Sequence, residues 1–151
     1  MEAFKKILVA LDSSENAFRA LDYLAAILGE GRGFQILLLT VYREPSRDLF
    51  PDQEAWQEAC RRQREESDQI VNRGSQRLRE LGVTACELDS KVVTCKGPGP
   101  AQHILDEQRQ GGYGTIVVGR RGVSKAEEFL FGSVSNKIVH YAKGCTVWVV
   151  E

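Results

Sequence analysis

No stretch of this sequence approaches the roughly 20 consecutive apolar residues needed to span a bilayer. After Lys5 and Lys6 the first apolar run, Ile7 to Leu11, is too short for a secretory leader. Cys60, Cys86, Cys95 and Cys145 include no Cys-x-x-Cys pair, and His103 and His140 add no zinc spacing. The cysteines therefore read as small, mostly buried thiols of a reducing compartment, and a cytoplasmic location is expected. A surplus of one charge is missing too. Twenty basic residues face 21 acidic ones, a net charge of -1 that gives no field to draw in nucleic acid or an acidic membrane surface. That balance leaves room for a local site that holds a small anion.

Several chemical signatures are also absent. Neither Gly-x-x-x-x-Gly-Lys-Ser/Thr nor Gly-x-Gly-x-x-Gly comes after the first apolar run; the next four residues, Asp12-Ser13-Ser14-Glu15, are acidic and free of glycine. No nucleophile and base can be paired, because His103 and His140 both fall on predicted helices, where a lone histidine is more often structural or exposed than catalytic.

The remaining composition is ordinary for one globular unit. Hydrophobic residues make up 42% and charged residues 27%, far from the composition of a disordered chain, so residues 1–151 are expected to form a single domain. Lys5 to Leu11 is a continuous apolar run of the kind that suits a strand buried on both faces. Ala17, Ala20, Leu21, Leu24, Ala25 and Leu28 then recur at helical spacing, with Gly29 and Gly31 as stop signals. Phe34 to Tyr42 predicts a second strand, Pro51 to Leu81 a charged and largely solvent-facing helix, and Val83 to Thr94 a third strand. After the break at Gly97-Pro98-Gly99-Pro100 come a helix over Ala101 to Arg109, a strand over Thr115 to Val118, a helix over Val134 to Ala142 and a last strand over Thr146 to Val150. Alternating strands and helices predict an open, parallel five-stranded α/β sheet with helices on both faces.

In such sheets ligands lie beyond the carboxyl ends of the strands, so the residues just after each strand carry the functional reading. The stretch after the fourth strand is the most informative. Gly119 and Gly122 permit positive φ and bring backbone N–H groups near a ligand with no Cβ in the way. Nine residues, Val123 to Phe131, separate Gly122 from Gly132-Ser133, which opens the next helix. Gly132, Ser133 and Val134 would offer free N–H groups and the positive end of a helix dipole to phosphate oxygens. Ser133 can add a hydroxyl donor, or simply cap the helix. Arg120, Arg121 and Lys125 could neutralise phosphate charge, although loop cations of this kind more often face solvent.

The joint pattern Gly-x-x-Gly-x9-Gly-Ser, complete at Gly119, Gly122, Gly132 and Ser133, resembles the motif of the universal stress protein family in its ATP-binding branch. The likeness extends to Ile7-Leu8-Val9-Ala10-Leu11-Asp12-Ser13-Ser14-Glu15-Asn16-Ala17, similar to that family's opening strand and acidic turn, and to the closing strand Cys145 to Val150. The resemblance implies a Rossmann-like domain of the adenine nucleotide alpha hydrolase type that binds ATP or AMP, with Mg2+ held through the phosphates. Position by position, it implies that Asp12 lies on the ribose and adenine side, that the backbone of Val41 meets the adenine, and that Gly119 and Gly122 line the ribose and phosphates. Gly132, Ser133 and Val134 would hold the phosphates, with Ser135 alongside them. Asp12 with Glu15 also reads as a capping pair for the first helix, and one residue can cap and contact at once. Family members pair their last strands across a homodimer axis, and the edge Val147 to Val150 suits such pairing.

The sequence departs from the family pattern at Gly114-Thr115, where an acidic residue is common, and at Thr146, where a proline is common. Neither position touches the proposed pocket. The Ser-Gly-Gly-x-Asp-Ser, His-x-Gly-His and Lys-Met-Ser-Lys-Ser signatures of adenylating enzymes with a related fold are missing. The expectation is a nucleotide-binding sensor or switch of the stress response that at most hydrolyses ATP slowly. The alternative is a stress interaction module of the same fold that binds no nucleotide.

Overall fold

The first strand of the computed structural model, β1 (Lys6–Ala10), shows why its sequence is apolar without interruption. Alternate residues of a strand point to opposite faces. Ile7 and Val9 enter one core and Leu8 the other, and none of the three is more than 2% exposed. The described residues are 2–84, 86–96, 99–120 and 133–151.

After β1 come α1 (Glu15–Leu28), β2 (Gln35–Arg43), α2 (Gln53–Glu80), β3 (Glu87–Cys95), α3 (Pro100–Gly111), β4 (Thr115–Gly119), α4 (Ser133–Tyr141) and β5 (Thr146–Val150). Short 3-10 turns cover Glu2–Lys5 and Arg47–Leu49. All pairings are parallel and the strand order is β3-β2-β1-β4-β5, a single five-stranded sheet.

Each face of the sheet has its own core. On one side Val9, Ile36, Leu38 and Val117 meet Leu21 and Leu24 of α1 and Leu78 of α2. On the other, Leu8, Leu37, Leu39, Ile116 and Val118 meet Ile104 and Leu105 of α3 and Ile138 of α4. Complete burial of each such side chain contributes about 1.5–3 kcal/mol. The predicted solvent-facing character of α2 holds: it buries only Ser67, Val71, Gly74 and Leu78, a narrow stripe. At Gly74 the helix comes so near the sheet that an added Cβ would stand 2.7 Å from Leu11 Cδ1 and 3.1 Å from Leu38 Cδ1.

The third strand begins later than its residue types predict, at Glu87 instead of Val83. Val83 belongs to the end of α2. Its N–H donates to Leu78 O while that of Gly82, at φ +89°, donates to Arg79 O, and the Val83 side chain is 4% exposed in the core. Such paired bonds satisfy the last carbonyls of a helix and bring an apolar residue back against it.

β3 and β5 are the two edges. β3 displays exposed Glu87, Asp89, Ser90 and Lys91, whereas β5 carries half-buried Val147, Trp148, Val149 and Val150 and no charge.

Candidate functional site at the carboxyl ends of β1 and β4

From β1 the sheet grows through β2 to β3 on one side and through β4 to β5 on the other. The crevice where the order reverses, between the carboxyl ends of β1 and β4, is where open α/β sheets admit ligands. The structure places Asp12 just beyond β1 and Gly119 and Arg120 at the end of β4.

Asp12 is half-buried, and its Oδ1 accepts from the N–H of Ser14 at 2.8 Å, closing a turn. Ser14 is the N-cap of α1, its Oγ accepting from Ala17 N at 3.2 Å. The capping pair read between Asp12 and Glu15 is thus replaced by Ser14, two residues nearer the helix than Asp12. The competing signal lay in the same Asp-Ser-Ser-Glu string, because a serine caps as readily as an aspartate.

Val41 is half-buried in β2, beyond the last β1–β2 register pair, Ala10 with Leu39, and opposite Val93 of β3. Its main chain therefore stands one strand away from Asp12 on the same rim of the sheet.

Gly119 pairs with Val150 and is not among the positive-φ glycines. The expectation that it uses left-handed backbone freedom is corrected. What it needs is the missing Cβ, which would stand 3.0 Å from the Asn16 backbone carbon and 3.1 Å from Ala17 N. The end of β4 is therefore pressed against the first turn of α1.

Arg120 ties three elements together. Its N–H donates to Val150 O at 2.7 Å, its Nη2 donates to Glu151 Oε1 at 2.6 Å, and its carbonyl accepts the Ser135 hydroxyl at 2.6 Å. The Nε is buried and has no hydrogen-bond partner among the described residues. Sequence reasoning treated Arg120 as a solvated loop cation; its contact with Glu151 depends on β4 lying beside β5, which local sequence does not announce.

Ser133, the first residue of α4, is exposed, Val134 is half-buried against the α3/α4 core, and Ser135 is 2% exposed. Gly122 and Gly132, like Arg121 and Lys125, lie outside the described residues. The structure thus brings the first turns of two helices, α1 and α4, onto the end of one strand. Among the described residues no three His, Cys, Asp or Glu side chains are grouped to hold a metal ion, and no helix is long and apolar enough to cross a membrane.

A model of the universal stress protein family matches residues 3–151. The chain is similar to Universal stress protein Sll1388 of Synechocystis, 31% identical with 98% of both chains covered. It is also similar to Universal stress protein YxiE of Bacillus subtilis, 29% identical with 98% of this chain and 99% of that one covered. Among solved structures, hypothetical protein MJ0577 superposes with a TM-score of 0.81 at 24% identity, over 98% of this chain and 96% of that one. A universal stress protein in complex with cAMP superposes with a TM-score of 0.67 at 20% identity, covering 99% and 98% of the two chains. The Archaeoglobus fulgidus protein in complex with dAMP gives 0.65 at 19% identity, with both chains covered completely. At these identities the structural likeness establishes the fold.

Proposed function

The chain belongs to the universal stress protein family, and from that premise we propose that it binds an adenine nucleotide, ATP or AMP, at the carboxyl ends of β1 and β4. The observation that carries this reading is the convergence of two helix N-termini on the end of β4, α1 through the approach of Asn16 to Gly119 and α4 through the Ser135 bond to Arg120. First-turn N–H groups lack partners within their helix and carry its positive dipole end, so two of them together favour a phosphate-bearing ligand. The dAMP and cAMP complexes of two structural neighbours support adenine as the base.

In this arrangement Asp12 takes the ribose and adenine side and the Val41 main chain meets the adenine. Gly119 and Gly122 line the ribose and phosphates, and Gly132, Ser133, Val134 and the Ser135 main chain hold the phosphates. Mg2+ would be carried by the phosphates. Binding and release of the terminal phosphate would order and loosen the stretch from Gly122 to Gly132, which lies outside the described residues, and would make the protein a nucleotide-dependent switch of the stress response. The free cysteines support a cytoplasmic setting. The uncharged edge of β5, against the charged β3, supports a homodimer formed there.

Mass spectrometry of ligand released from the natively purified protein, with calorimetric titration of ATP and AMP, tests the reading. An adenine nucleotide in the released fraction and saturable heat are expected. If neither nucleotide is released or bound, the protein is an interaction module of the same fold. Hydrogen exchange over residues 123–131 tests the switch: equal protection with ATP, with AMP and without ligand would discard it.

A further inference from the structure

Arg120 follows the last residue of β4 and Ser133 opens α4, and a side chain joins the two elements. The Ser135 hydroxyl donates to Arg120 O at 2.6 Å, and Ser135 is 2% exposed, so this bond is sheltered from water. Arg120 is itself fixed to the neighbouring edge strand, through its N–H on Val150 O at 2.7 Å and its guanidinium on Glu151 at 2.6 Å. A hydroxyl committed in this way is poorly placed to be a phosphate ligand and well placed to hold the frame around one.

We infer that Ser135 is a positioning residue for the nucleotide site: its bond to the Arg120 carbonyl fixes the first turn of α4 against the carboxyl end of β4 before any nucleotide arrives. The inference rests on the proposed nucleotide reading and adds to it how the site is pre-assembled. A site whose donors are held in place by neighbouring packing and hydrogen bonds binds without first having to order itself. Without the Ser135 bond, the same phosphate-facing N–H groups exist but their mutual placement is no longer set.

The test compares the wild-type protein with Ser135→Ala and Ser135→Thr, using calorimetric titration of ATP and hydrogen exchange of the nucleotide-free proteins. In S135A the amides of Arg120 and of the first turn of α4 should exchange faster without nucleotide, and ATP affinity should fall roughly three- to tenfold, the scale of one sheltered hydrogen bond. S135T, which keeps the hydroxyl, should restore both. If wild type binds ATP and S135A binds it equally well, the inference fails while the nucleotide reading stands. If S135A loses affinity with unchanged exchange in the nucleotide-free state, Ser135 touches the ligand directly and the positioning role is wrong. If wild type binds neither ATP nor AMP, the underlying reading falls and takes the inference with it.

Discussion

Gly119 and Asn16 are in such close apposition that a β-carbon on the glycine would stand 3.0 Å from both the backbone carbon and the Cβ of Asn16. Backbone cannot give way there without moving the first turn of α1 off the sheet. Gly119→Ala is therefore expected to destabilise the nucleotide-free protein by about 1–3 kcal/mol, the usual cost of overfilling a packed contact. Thermal or urea unfolding without ligand would show it. An unchanged midpoint would mean that α1 shifts freely, and that the glycine is there for another reason.

Gly74 sets two effects of opposite sign against each other. Alanine in a helix interior is favoured over glycine by about 1 kcal/mol. The new methyl, however, would arrive 2.7 Å from Leu11 Cδ1, 3.1 Å from Leu38 Cδ1 and 3.4 Å from Leu21 Cδ1, and none of these leucines is more than 4% exposed. Overpacking of this kind costs about 1–3 kcal/mol. Gly74→Ala should accordingly lose about 1 kcal/mol net in urea denaturation, and a gain in stability would show that the leucines repack at little cost.

How much of this was legible in the sequence depends on how local the cause is. β1, β2 and β4 were readable because a strand buried on both faces must be largely apolar, as Ile7 to Leu11 is, and the half-buried edge β5 is as apolar from Val147 to Val150. The start of β3 was not readable, since Val83 owes its burial to the wrap-around end of α2 and its apolar character looks the same in either role. At the site, the spacing of Gly119 and Ser133 indicated that the end of β4 and the start of α4 belong together, and the Ser135 bond to Arg120 joins them. The tie of Arg120 to Val150, Glu151 and Ser135 was invisible, because it joins residues that only the strand order brings together. At Gly119 the residue type suggested a left-handed turn, whereas its freedom is spent on a close approach.

Cys145 is half-buried against the α3/α4 core, and burial pushes its thiol above the ordinary range. The thiolate is the reactive form, so a raised value lowers the reactive fraction at any fixed pH. Cys145 is expected to react with iodoacetamide at pH 8 more slowly in the folded protein than in urea. The same shift makes the stability contribution of this thiol fully present below the unfolded-state value and lost as pH rises through the folded one. Peptide-level mass spectrometry of alkylation time courses checks the rate, and equal labelling in both states would contradict the effect of burial.

The decisive variant for the proposed pocket is Gly132→Val. Gly132 lies outside the described residues, so the prediction rests on the motif and on the placement of α4, whose first turn stands at the end of β4 through Ser135 and Arg120. If the start of α4 receives phosphates, a β-branched side chain at the preceding residue occupies the space they need. Binding of ATP and AMP should fall below detection in calorimetry, while the unfolding midpoint of the nucleotide-free variant stays at the wild-type value. Retained affinity would place the nucleotide elsewhere on the sheet, and a lowered midpoint without ligand would mean that the glycine serves the fold before it serves the site.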